Sequence, residues 1–91
     1  SAAPASTTLE QNYPNPFSDK TSLQFSIPSE QNISVKLYDA LGRFVSTLLQ
    51  GNFAAGTYTS EFGASGIPNG TYFVTLGTPV QKITKQIIIA R

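Results

Sequence analysis

Apolar and polar residues alternate along most of this chain, and short stretches rich in glycine, proline or asparagine separate the alternating segments. A period of two places successive side chains on opposite faces of a β-strand. In residues 21–27, for example, Leu23, Phe25 and Ile27 fall on one face and polar residues on the other. The pattern predicts regular strands at residues 21–27, 33–38, 44–49, 57–62, 71–76 and about 80–89.

Turn-forming residues end these segments. Residues 39–42 (DALG) fit a hairpin loop in which Gly42 takes the left-handed conformation and forms a bulge. Asn69-Gly70 is a strong signal for a tight turn. Residues 39–49 also carry apolar residues at near-helical spacing, but the early glycine and the β-branched residues favour a strand.

The first residues differ from the rest of the chain. Residues 1–8 (SAAPASTT) are small and uncharged and are interpreted as a linker or an expression remnant, with the domain spanning residues 9–91. Pro14 and Pro16 bias their neighbours toward extended backbone, so residues 9–17 are predicted to form an irregular edge strand that lays Phe17 on the core.

About seven short strands with turns every ~8–12 residues predict an all-β fold, an immunoglobulin-like antiparallel β-sandwich. The chain has no cysteine and no tryptophan, so the sandwich has no disulfide and its core must be aromatic and aliphatic. The expected core residues are Phe25, Leu37, Tyr58, Phe62 and Tyr72.

Length and charge narrow the function. Ninety-one residues indicate one domain. A net charge of +1 with scattered basic residues gives no expectation of nucleic-acid binding. No apolar run approaches the ~18 residues of a membrane-spanning segment. No secretory signal is seen, so an exported protein would carry that signal upstream of this sequence.

The residues that usually perform catalysis or bind metals are scarce. The chain has no histidine and no cysteine, and its five carboxylates lack the alternating spacing of a calcium loop. We therefore expect no enzyme activity, no metal and no cofactor.

Two groups of residues have both a structural and a functional interpretation. Asp39 is expected to cap the hairpin turn while Arg43 lies over Tyr38 or a neighbouring strand; alternatively the loop offers Arg43 to a partner. Asn69 and Gly70 are expected to turn the chain ahead of a core-facing Tyr72, and they too are candidates for partner binding.

Basic residues mark the last strand. Lys82 and Lys85, with Arg91 after them, fit a row that protects an edge strand from self-pairing. They also fit docking, in which an accessible terminal strand adds to a partner's sheet or forms a weak dimer. Both interpretations stay open.

Four phrases at this order and spacing resemble the C-terminal sorting domain of the bacterial type IX secretion system. They are residues 12–17 (NYPNPF), 38–43 (YDALGR), 70–72 (GTY) and 81–91 (QKITKQIIIAR). The resemblance implies an immunoglobulin-like domain at the end of a cargo protein that reaches the periplasm by the general secretory route. Secretion machinery then carries the cargo across the outer membrane.

The resemblance also implies that a sortase-like protease removes the domain, at a bond before or within residues 1–9, and that the source belongs to Bacteroidetes or relatives. The partner-binding candidates that it implies are Asp39, Gly42, Arg43, Asn69, Gly70, Tyr72, Lys82, Lys85 and Arg91.

Three other hypotheses compete. The domain is alternatively an accessory module that packs on or spaces the catalytic domain of an extracellular enzyme. It is alternatively a carbohydrate-binding module, which needs a planar row of exposed aromatic rings from Tyr13, Tyr38 and Phe73. A more distant resemblance is to the immunoglobulin-like domain of flagellar hook-capping proteins.

Overall fold

The computed structural model describes residues 5–91, and the elements within that range are all β-strands. They are β1 (Thr8–Leu9), β2 (Lys20–Ile27), β3 (Gln31–Asp39), β4 (Phe44–Phe53), β5 (Gly56–Gly63), β6 (Gly70–Gly77) and β7 (Lys82–Ile89). All six regular strands predicted from the alternation are confirmed. The helical alternative for residues 39–49 is wrong, because β4 pairs with β3 along its whole length.

The strands form two antiparallel sheets. One has the order β1-β2-β5 and the other the order β4-β3-β6-β7. The predicted all-β sandwich without a disulfide is therefore confirmed. Three connections, β2–β3, β4–β5 and β5–β6, cross from one sheet to the other.

The core lies between the inner faces of the two sheets, where alternate residues of each strand are buried. Of the predicted core residues, Phe25, Leu37, Phe62 and Tyr72 are buried. Tyr58 is half-buried and stacks on Phe25 with ring centroids 5.4 Å apart. The other large, fully buried side chains are Ile27, Ile33, Val74, Leu76, Ile87 and Ile89.

Between β1 and β2 the chain forms an irregular segment, residues 11–17, which we call the strap. It is less regular than the predicted edge strand, with isolated bridges from Tyr13 to Ser22 and from Phe17 to Ile89. Its two prolines have no backbone N–H to donate to a continuous ladder. Phe17 is only 3% exposed and its ring packs edge-on against Phe62 at 5.9 Å, which confirms its predicted anchoring role.

The two ends of the sandwich differ. At one end, which we call the entry end, the chain joins the sheet where Thr8 pairs with Ser26, beside the start of β5. At the opposite end, the far end, lie the β3–β4 loop, the β5–β6 connection and residues 89–91. Residues 1–4 of the predicted linker lie outside the described residues, and Thr8 already belongs to β1.

Candidate recognition surface at the far end

The β3–β4 loop is held by Asp39. Its Oδ1 accepts hydrogen bonds from the backbone N–H groups of Leu41 and Arg43, each at 2.9 Å. The backbone adds two further bonds, from Asp39 N–H to Arg43 O and from Gly42 N–H to Asp39 O. The predicted turn-capping role of Asp39 is confirmed.

Arg43 has a partner that the sequence did not indicate. Its guanidinium Nε donates to Asp39 Oδ2 at 2.8 Å, whereas the ring of Tyr38 packs edge-on against Phe44. The backbone N–H of Arg43, then its side chain and the N–H of Leu41, hold the pKa of Asp39 below the usual value for an aspartate. The pair leaves the loop with no net charge.

Gly42 is required for its backbone conformation. Its φ is +84°, in the left-handed region, and a Cβ there would meet no atom within 4 Å. The β3–β4 register shifts between Leu37 and Tyr38, as expected for a bulge beside the turn. The predicted role of Gly42 is confirmed.

This hairpin exposes apolar side chains. Leu41 is 78% exposed, Phe44 57% and Val45 38%; we call these three residues the tip. The other exposed large apolar residues, Tyr13 and Val80, lie elsewhere. Single exposed apolar residues are ordinary, but a group of them is typical of an interaction surface.

The β5–β6 connection turns at a place other than the predicted one. The tight turn is at residues 64–67, where Ile67 N–H donates to Ala64 O at 3.0 Å and Gly66 has a φ of +80°. The prediction of a tight turn at Asn69-Gly70 is wrong. Because β5 and β6 belong to different sheets, no two-residue hairpin joins them, and Gly70 instead begins β6.

Tyr72 and Asn69 support this connection. The Tyr72 hydroxyl donates to Pro68 O at 2.7 Å, four residues upstream, as in the tyrosine corner of immunoglobulin-like sandwiches. The side chain of Asn69 contacts Arg91, accepting from its backbone N–H at 3.3 Å and from its Nη1 at 3.2 Å.

An open groove of about 460 Å³ lies between the β3–β4 loop and the β5–β6 connection. Five residues that were proposed from sequence line it together: Asp39, Arg43, Asn69, Gly70 and Tyr72. Leu41 and Val45 of the tip extend its apolar wall. Arg91 and Gly42 belong to the same end of the sandwich, so seven of the nine candidates are brought together.

The two remaining candidates lie elsewhere and do not form a row. Lys85 pairs with the buried Val74 and therefore lies on the core side of β7, whereas Lys82 pairs with Gly77 near the entry end and lies on the outer face. Side chains three residues apart on a strand point to opposite faces. The prediction of a row of lysines is wrong.

The outer backbone edge of β7 is partly covered by the strap. Asn15 Oδ1 accepts from Ile88 N–H at 3.0 Å, and Phe17 bonds both Ile88 O and Ala90 N–H. Gln11 Nε2 also donates to Gln86 O at 2.7 Å. The edge expected to be accessible therefore remains open only over residues 82–85.

Sequence reasoning missed the polar residues of the strap. Asn12 is 3% exposed and donates to Thr21 Oγ1 at 2.9 Å and to Pro14 O at 3.0 Å. Asn15 acts across 73 residues of sequence, so no local pattern could reveal its partner. The phrase NYPNPF was the available signal, because both of its asparagines closely precede the anchor Phe17.

Within residues 5–91 we find no cluster of three or more side chains suited to a metal ion. In the same range, no helix is long and apolar enough to cross a membrane.

Together, the sheet order, the tyrosine corner and the buried core define an immunoglobulin-like β-sandwich module. The chain belongs to the secretion system C-terminal sorting domain family, whose match spans residues 11–90. The resemblance to type IX sorting domains is thereby confirmed. Neither a curated protein nor a solved structure gave a match to the chain.

Membership of this family makes the domain a C-terminal sorting signal for type IX secretion. Such a signal interacts with the type IX machinery and directs export toward the cell surface or the medium.

Proposed function

We propose that the domain acts as a non-catalytic address on an upstream cargo and that the secretion machinery binds it through the tip and the groove. The observation that supports this is the exposure of Leu41, Phe44 and Val45 beside the groove at the far end, away from where the chain enters the sandwich. A cargo joined at the entry end would leave that surface accessible.

The chemistry of the surface favours an apolar partner. Among the described residues that line the groove, Asp39 and Arg43 are the ionic ones, and they form an ion pair at 2.8 Å. Removing these exposed aliphatic and aromatic side chains from water is favourable, and burial of apolar surface is the dominant favourable contribution to most protein–protein association. The Asp39 bonds fix the loop, so little conformational entropy is lost on binding.

The remaining steps follow the pathway of the family. The cargo crosses the inner membrane by the general secretory route and reaches the machinery in the periplasm. A sortase-like protease then removes the domain by cutting before or within residues 1–9. Of that segment, Thr8 and Leu9 lie at the entry end, so cleavage beside them and binding at the far end would use separate surfaces.

The second candidate is an accessory module that packs on or spaces the catalytic domain of an extracellular enzyme. In that case the tip would be buried against another domain of the same protein. A carbohydrate-binding role has less support, because the rings of Tyr38 and Phe44 stand at 73° to each other and do not form a flat platform.

A weak dimer through β7 is a further proposal. Only residues 82–85 leave the outer backbone edge open, so a strand added there forms few hydrogen bonds. Sedimentation equilibrium at increasing concentration tests it: dimerisation that Thr84→Pro abolishes supports pairing at β7. A concentration-independent monomer mass rejects it.

The test of the main proposal is a transplant. Residues 1–91 are fused behind a fluorescent protein that carries a secretory signal, in a bacterium with type IX machinery. We expect the reporter at the surface or in the medium, and its loss from there in a strain without the machinery. A folded domain whose reporter stays in the periplasm would contradict the proposal and favour the accessory module.

Variants of the fusion test the surface itself. Leu41→Ser with Val45→Ser is expected to block export while the fold is retained, because exposed substitutions usually cost under about 0.5 kcal/mol. Val80→Ser is the matched control, since Val80 is 84% exposed in the β6–β7 turn. Normal export of the double variant, or equal loss in the control, would contradict binding through the tip.

A further inference from the structure

Arg91 binds one segment of the chain, the β5–β6 connection, through both Nη atoms of its guanidinium. Its Nη1 donates to Ile67 O at 3.0 Å, and its Nη2 donates to Ile67 O at 2.6 Å and to Ala64 O at 2.5 Å. The Asn69 side chain adds two acceptor contacts. The guanidinium therefore spans three acceptors on the β5–β6 connection.

That connection depends on such contacts because it crosses between sheets and joins no strand ladder over residues 64–69. Its own backbone supplies the bonds from Ala64 N–H to Asp19 O and from Ile67 N–H to Ala64 O. The carbonyl oxygens of Ala64 and Ile67 accept hydrogen bonds from the Arg91 guanidinium. Ile67, Pro68 and Asn69 form one wall of the groove.

We infer that Arg91 is a positioning residue of the recognition surface: it holds the β5–β6 connection as a wall of the groove, and the secretion machinery depends on it through that wall. This rests on the proposed function of the groove. Arg91 then acts by shaping the surface and not by offering its charge. The planar fork of donors suits arginine and no other side chain.

The substitution Arg91→Lys separates these two roles, because it keeps the charge but cannot reach several acceptors at once. We expect amide hydrogen exchange at Ala64 and Ile67 to become about tenfold faster in Arg91→Lys and Arg91→Ala, the factor for losing one hydrogen bond to a charged donor. Exchange at Leu37 and Val74, in the core, should stay unchanged.

Export of the fusion is the second readout. We expect both variants to lose export in proportion to the faster exchange. Unchanged exchange in Arg91→Ala would overturn the inference. So would faster exchange with normal export, and so would full rescue of export by lysine, which would assign Arg91 a role through charge alone.

A failure of the proposed function gives a different result, because it is measured by the export of the tip variants. Suppose that Leu41→Ser with Val45→Ser exports normally while the Arg91 variants loosen the β5–β6 connection. Arg91 then still holds that connection, but the tip and groove do not act in recognition.

Discussion

Asp39 uses both carboxylate oxygens inside its own loop. Oδ1 accepts two backbone N–H groups and Oδ2 binds Arg43, so both oxygens are already engaged within the loop. Arg43 is likewise engaged, although its side chain is 74% exposed. The charged residues Asp39 and Arg43 thus shape the hairpin, and the apolar residues of the tip are presented outward.

This predicts a pH dependence of stability. The pKa of Asp39 is lower in the folded protein than in the unfolded chain, so its contribution is fully present above the unfolded value of about 4. It is lost as the pH falls through the folded pKa. We expect Asp39→Asn to be less stable than the parent at pH 7, and the gap in Tm to narrow in acid.

The control for this measurement is Glu61→Gln, because Glu61 forms only a long, exposed pair with Lys20 at 3.7 Å. Exposed pairs of this kind contribute about 0–1 kcal/mol. A gap between Asp39→Asn and the parent that is the same at pH 3 and pH 7 would contradict the assigned role.

The roles of Asp39 and Gly42 could be predicted because their partners lie within four residues. The partners of Arg91 could not, since it lies 24 residues from Ile67 and 27 from Ala64 in sequence. The sequence identified Arg91 as a candidate through its resemblance to a family, but the mechanism depends on how the strands assemble.

At the scale of elements, the open sheet edges are protected in different ways. The strap covers the last part of β7, and Lys85 brings a charge to the core side of that edge. β4 has no charged residue and no proline between Phe44 and Phe53, but two register shifts interrupt its pairing with β3. Bulges and inward charges are both known protections against edge-to-edge pairing.

Asn15 is the residue that closes the strap on β7. Asn15→Ala leaves Ile88 N–H without its acceptor, so we expect faster exchange at Ile88 and a loss of about 1 kcal/mol in the free energy of unfolding. Amide hydrogen exchange measures the first effect, and chemical denaturation measures the change in the free energy of unfolding.

Asn52→Ala is the matched control, since Asn52 also loses a side-chain hydrogen bond, to Glu30 at 2.6 Å, but far from β7. If the Ile88 amide exchanges at the same rate in both variants, the Asn15 side chain does not hold the strap on β7.

The strands themselves were predictable because alternation is a local signal. The β5–β6 connection was not, because the Asn69-Gly70 dipeptide has the same appearance whether its strands pair or belong to different sheets. The groove was therefore not predictable as a groove, although five of its residues were named.

At the scale of the whole molecule, a small domain without disulfides depends on every large buried side chain. Deleting residues 87–91 removes Ile87 and Ile89, which are 0% and 1% exposed, and the contacts of the strap and of Arg91. Each isoleucine contributes about 1.5–3 kcal/mol, against a total stability of about 5–15 kcal/mol. We expect the truncated chain to lose cooperative unfolding, as measured by thermal circular dichroism.

Deleting residues 1–4 is the control, because all seven strands lie within residues 5–91. If the chain that lacks residues 87–91 still unfolds cooperatively near the Tm of the parent, the end of β7 is dispensable for the fold.

The bridge between Phe17 and Ile89 joins the beginning of the domain to its end. Contacts that are distant in sequence form slowly, and none of these can form until the last residues have emerged from whatever is making or moving the chain. A domain that emerges in chain order therefore cannot close this contact until β7 has emerged. Completion of the sandwich is therefore a sign that the domain has emerged as far as Ile89, and a chain that stops short of β7 carries no finished address.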